Sequence, residues 1–185
     1  MTDLYELTSA GVDPVLLAEM KSYLKDPPAV DDTFITGLIT AATQWGEDYT
    51  GHEFRANTWK LLIDSFPTRI SICRSPVDTI TSLKHLVSDV LTLVPTTDYY
   101  LKKLLDGAEL LLVDGKAWPT DTDIREQSVE IIFVTSVFPR LETIKTAVMQ
   151  HVAYMYNNRG DCTCDEAGKL SGASALYDIF TIQRI

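Results

Sequence analysis

Residues 31–51, DDTFITGLITAATQWGEDYTG, leave room for little but a helix. Phe34, Leu38, Ala42, Trp45 and Tyr49 recur at steps of four, four, three and four. That is one apolar stripe of a 3.6-residue period, and Ile35 and Ile39 widen it. Asp31 or Asp32 stands where a carboxylate can accept the first free N–H groups and where negative charge suits the helix dipole. Gly51 follows the last periodic residue, where a left-handed cap costs glycine least. Nothing in the segment is set up for chemistry. It is made to pack.

An earlier helix is expected over residues 13–25. Asp13-Pro14 opens it with a capping carboxylate and a proline where no N–H is needed. Leu16, Leu17, Met20 and Leu24 form its apolar face, and Asp26-Pro27-Pro28 stops it. The short link to Asp31 makes the two helices neighbours. After Gly51 the period becomes two: Trp59, Leu61 and Ile63 alternate with polar or mixed positions. Phe66-Pro67 turns, Ile70 and Ile72 begin a second strand, and residues 79–87 lean to β after the Ser75-Pro76-Val77-Asp78 break. Residues 90–113 are ambiguous. Leu101-Lys102-Lys103-Leu104-Leu105 reads as strand or helix, flanked by the turn signals Asp106-Gly107 and Asp114-Gly115. Residues 129–135 form the best late strand, with Val129, Ile131 and Phe133 on one face.

Helix returns over residues 139–159, where Leu141, Ile144, Val148, His151 and Met155 make a narrow seam. Residues 160–185 bear glycine and serine and then become amphipathic through Leu176, Ile179, Phe180 and Ile182. Two readings stay open there: a last helix laid on the core, or an arm that orders against a neighbour. The expectation is an α+β fold in one domain over residues 1–185, mainly a helical bundle with a β-rich insertion at 57–135 and a C-terminal tail or arm.

Composition narrows the function. The chain has 185 residues, enough for a core without staples, and 45% hydrophobic with 23% charged residues is an ordinary globular balance. No apolar run approaches membrane-spanning length, and residues 1–13 show no basic-then-apolar export pattern. Three cysteines without framework spacing suit a reducing compartment such as a bacterial cytoplasm. The net charge is −10, and residues 11–51 hold seven carboxylates against Lys21 and Lys25. Two explanations stand: solubility with acids at helix starts, or a negative surface past which DNA slides without sticking. No basic cluster marks a phosphate grip.

Catalytic patterns are missing. There is no P-loop, GxSxG elbow, HExxH helix or dinucleotide-binding glycine pattern. His52, following the helix cap, is expected to be solvated; His85 lies on a strand, and His151 in the seam reads as a core or interface histidine. Cys162-Thr163-Cys164, flanked by Asp161, Asp165 and Glu166 with His151 upstream, holds zinc-type ligands, but CxC is tighter than the usual knuckle and no second pair exists. Cys73 reads as a small strand residue. Trp45, Trp59 and Trp118 lack the basic neighbours of a base-stacking platform and read as core or interface material. No enzyme activity, metal or cofactor is expected.

The order of motifs resembles the head–tail connector proteins of tailed bacteriophages, also called adaptor or head-completion proteins. The resemblance runs from Leu17-Ala18-Glu19-Met20-Lys21-Ser22-Tyr23-Leu24 through DDxxIxxLIxAAxxWxExYTG at residues 31–51. It continues through Trp59, Ile63-Asp64-Ser65-Phe66-Pro67, residues 74–83, Trp118-Pro119 and residues 129–135, to Tyr156-Asn157-Asn158-Arg159. It implies a structural virion protein whose copies form a ring, twelve-fold, beneath the portal protein. The ring would extend the DNA channel, let DNA pass through its lumen without specific binding, and dock the next neck or tail-completion protein. It also implies a body of helices, with the β segment and C-terminal tail reaching neighbouring subunits. Localisation would be the head–tail joint of the virion after synthesis in the host cytoplasm.

Tyr49, Tyr154, Tyr156 and Arg159 are of the types that dominate interfaces and are the candidates here, with Leu176, Ile179 and Phe180 of the tail; Trp45 is assigned to the core. The chain departs from the family at Ser136-Val137-Phe138 and in the CTCDEAG segment, both in regions that would face partners. The alternatives are another neck or tail-completion protein, a cytoplasmic binding protein or a hydrolase.

Overall fold

The computed structural model describes residues 3–181. Among them lie five α-helices and two antiparallel sheets, the α+β class expected. The chain forms two compact units, each built from segments far apart in sequence: residues 3–11 with 56–136, and residues 12–55 with 137–181. Ile182 of the amphipathic tail lies outside the described residues.

The helical unit comprises α1 (Leu17–Tyr23), α2 (Asp32–Thr50), α3 (Leu141–Asn157), α4 (Cys164–Leu170) and α5 (Ala173–Tyr177). Helix α1 starts later than Asp13-Pro14 predicts. Glu19 accepts the Leu16 N–H at 2.8 Å, while Asp13 accepts from Thr40 Oγ1 at 2.8 Å and pairs with Arg55. The expected carboxylate cap on α2 is also absent. A 3-10 turn, Ala29–Asp31, runs straight into the helix, so Asp31 already has helical geometry and makes no side-chain cap bond. Asp32 instead pairs with Lys21 at 2.7 Å, tying α1 to α2. Gly51 behaves as expected, ending α2 at φ 75° with its N–H on Glu47 O.

The buried face of α2 carries Ile35, Ile39, Ala42, Thr43, Gly46 and Thr50, so it is turned away from the stripe of Phe34 and Tyr49. Small residues explain the turn. The Thr43 and Thr50 hydroxyls donate to Ile39 O and Gly46 O within the helix, which lets both be buried without cost in unpaired groups. Gly46 has no room for more: a Cβ would fall 2.6 Å from the Phe54 ring and 2.8 Å from Tyr177 Oη. Helix α3 buries Ile144, Val148, His151 and Met155 of the predicted seam, with Ala147 and Val152 widening it, while Leu141 at its start is only half-buried. The segment after Gly160 folds back as α4 and α5, burying Ala167, Ala173 and Tyr177 in the same core.

The β unit has a five-stranded sheet in the order β1 (Leu4–Ser9), β2 (Thr58–Ile63), β8 (Val129–Thr135), β4 (Val77–Val87) and β5 (Val90–Leu93). A three-stranded sheet follows the order β3 (Ile70–Ile72), β7 (Ala108–Leu112) and β6 (Tyr99–Lys103). The inward residues of both sheets, among them Leu61, Leu83, Ile131 and Phe133 from one and Ile70, Ile72 and Leu110 from the other, form one core. Residues 99–103 are therefore strand, with Asp106-Gly107 as the hairpin turn. Strand β4 matches the β expected over residues 79–87, whereas β1, β5 and the turn between β4 and β5 were not legible in the sequence. Cys73 lies just past β3 and is exposed, and His52 is buried against the Phe138 ring at 4.9 Å rather than solvated.

Candidate interaction surfaces

The start of α2 meets the end of α3 in a polar–aromatic knot. Tyr156 Oη donates to Asp31 Oδ2 at 2.5 Å, and Arg159 Nη2 donates to the same oxygen at 2.9 Å. The guanidinium also lies over the Tyr156 ring at 4.2 Å and the Phe34 ring at 4.7 Å. The Tyr156 hydrogen bond, then Arg159, holds the Asp31 carboxyl below its usual range, and that carboxylate in turn raises the Tyr156 phenol. Beside the knot is a groove of about 370 Å³ lined by Phe34, Leu38, Met155 and Cys162 as well as the charged pair. Two predicted interface residues, Tyr156 and Arg159, thus belong to one cluster, completed by Asp31, which the sequence suggested only as a cap, and Phe34.

The other end of α2 carries Tyr49. Its ring stacks on Trp45 with centroids 4.9 Å apart, and its hydroxyl donates to Asp178 Oδ1 at 2.6 Å. Leu176 and Phe180 are half-buried against the helical core, whereas Ile179 is 68% exposed. Phe180 packs edge-on to Phe138, with Arg140 above it. Tyr154 sits apart from both groups, on a shallow polar hollow with Tyr23, Gln150 and Asn157. The structure therefore separates the predicted residues into three places.

Between these surfaces the helical unit is locked by charge. Glu47 accepts from Arg55 Nη2 at 2.5 Å, from Arg55 Nε, and from the Phe54 and Arg55 N–H groups. Burial pushes the Glu47 carboxyl up, while these donors favour the carboxylate. Burial opposes charge on Arg55 too and is the largest single influence, but the Glu47 hydrogen bonds and the attraction to Glu47, Asp13 and Glu53 together outweigh it. Removing either partner would strand a buried charge.

The cysteine–histidine cluster is a packing feature. His151 Nε2 donates to Cys164 O at 2.8 Å and lies 3.7 Å from Cys164 Sγ. Burial raises the Cys164 thiol and lowers the His151 imidazole, so both favour their neutral forms. Among the described residues no group of three or more His, Cys, Asp and Glu side chains is placed to hold a metal ion. No helix among them is long and apolar enough to cross a membrane.

In the β unit, Trp118 stacks on Phe66 at 5.0 Å and Arg74 lies 4.0 Å over Trp59, so both indoles are occupied within the fold. Large apolar side chains also remain open there, among them Val90, Leu91 and Leu93 of β5, Leu105 on the β6–β7 turn, and Ile124 on the loop before β8. A charge-free run, VLTLVPTT at residues 90–97, is the signal that could have marked the first of these.

These features define an α+β fold in which a helical bundle is interrupted by a two-sheet β unit. The same fold occurs in necks of phage-like particles. A chain of the neck of an empty GTA particle, computed with C6 symmetry, superposes with a TM-score of 0.79 at 19% identity, over 98% of this chain and 97% of that one. A chain of the virion of a native gene transfer agent particle gives 0.75 at 20% identity, and one from the native neck computed with C12 symmetry gives 0.72 at 20%, both with the same coverage. No protein-family model and no curated protein matches the chain.

Proposed function

We propose that this chain is a structural neck protein of a phage-like particle, an adaptor whose copies form a ring beneath the portal. The ring, twelve-fold on this reading, extends the DNA channel and docks the next neck or tail-completion protein. The observation that carries the reading is the likeness of fold along 98% of the chain to a neck chain. The ordered motifs from Leu17 to Arg159 support it independently of the fold.

The mechanism is binding and closure, with no bond made or broken. A heterologous contact repeated by rotation closes into a ring when one patch fits a different patch on the same subunit. The Asp31–Tyr156–Arg159 knot and the Tyr49 end with Leu176, Ile179 and Phe180 are the helical surfaces proposed for such contacts. A net charge of −10 suits a conduit, because like charge keeps DNA from adhering as it slides.

Deleting the gene and imaging the lysate by electron microscopy tests this. Free, finished tails beside tailless heads, many without DNA, are the expected result. Normal infectious particles would overturn the reading.

A further inference from the structure

Strand β5 is an edge of the sheet that is left uncovered among the described residues. All four of its residues are exposed, Val90 at 64%, Leu91 at 46% and Leu93 at 58% among them. The two-residue turn Ser88-Asp89 joins it to β4, and pairing proceeds Val87–Val90, Leu86–Leu91, His85–Thr92 and Lys84–Leu93. The Val94 N–H bonds to Leu83 O at 2.9 Å. Antiparallel alternation then turns the N–H and C=O groups of Leu91 and Leu93 outward, away from β4. Unprotected edges of this kind, without lysine, proline or a bulge, are templates for strand addition.

We propose that β5 of one copy pairs with β1 of the next copy, so that the five-stranded sheet continues from subunit to subunit. This deepens the ring reading above and rests on it. A ring needs two different, complementary patches, and β1 and β5 are the two ends of one sheet. One cross-strand row runs through all five strands: Leu4, Leu62, Glu130, Lys84 and Leu93. It ends in an exposed leucine at each edge, on the face opposite the core. Charge points the same way. Copies carrying −10 each repel, and residues 90–97 bear no charged side chain.

Strand direction makes the proposal specific. With five antiparallel strands, β1 and β5 run in the same direction, so the head-to-tail junction is parallel and can be repeated. Pairing of β5 with β5 would be antiparallel, two-fold and finished at a dimer.

The test uses purified particles with Cys73→Ser as background, because Cys73 is exposed. Leu4→Cys with Leu93→Cys should give a ladder of oxidised multimers, and neither alone should. A second variant, Leu91→Pro, removes an outward N–H without touching the β4 ladder. Its melting temperature should stay near wild type while its incorporation into particles falls at least about tenfold. Particles that contain the protein but give no ladder, and accept Leu91→Pro at wild-type levels, overturn the edge pairing and leave the neck reading standing. A dimer from Leu93→Cys alone also overturns it. Absence of the protein from particles overturns both.

Discussion

Gly168 and Gly46 are where the helical unit tolerates least change. A Cβ on Gly168 would fall 2.6 Å from the Trp45 ring, itself fixed between Tyr49, His151 and Tyr177. Gly168→Ala should therefore cost about 1–3 kcal/mol of stability, readable as a lowered urea midpoint. His151 is the second sensitive residue. Because Nε2 donates to Cys164 O, Nδ1 is the unprotonated nitrogen, and it is buried without a hydrogen-bond partner. Burial lowers the folded pKa, so below pH about 6.5 the unfolded chain binds the proton more readily. Stability from this group is full above that pH and declines as pH falls toward the folded value. Thermal melts between pH 7.5 and 5.5 should show wild type losing stability and His151→Gln losing less; equal slopes would refute the assignment.

The β4–β5 hairpin illustrates what sequence periodicity can and cannot reveal about an element. Its turn residues Ser88 and Asp89 have φ of 51° and 66°, a conformation usually signalled by asparagine or glycine. Here the support comes from far along the chain: Asp123 accepts both turn N–H groups at 2.9 Å. Those bonds, Asp89 first, hold its carboxyl below the usual range. Asp123→Ala should therefore speed amide exchange at Ser88 and Asp89 and lower the melting temperature. In wild type the same loosening should set in as pH drops below the ordinary carboxylate range. Helices α2 and α3 and strands β2 and β8 were legible because each carries its period over its own length. Strand β1 is mostly exposed, lacks the buried alternation of β2, and pairs with a segment about fifty residues away, so nothing local announces it. The candidate site was half legible: residue type pointed to Tyr156 and Arg159, but Asp31 joined them only through the fold.

At the scale of the molecule, charge is the property that reaches furthest. The chain should pass through immobilised DNA without retention at about 0.15 M salt, where screening acts over about 8 Å. Salt-sensitive retention would count against a passive conduit. The order of helical and β segments carried the α+β class and the β-rich insertion at 57–135, whereas the membership of residues 3–11 in the β unit could not be read, because it depends on which distant segments pair. That interleaving has a temporal consequence. The apolar face of α2 is completed by α3, which begins roughly ninety residues later, after every strand of the β unit has been made. At about 5–20 residues per second, a nascent chain holds that face without its partner for on the order of 5–20 s. Synthesis therefore finishes the β unit first, and the helical bundle closes only once α3 has emerged from the ribosome.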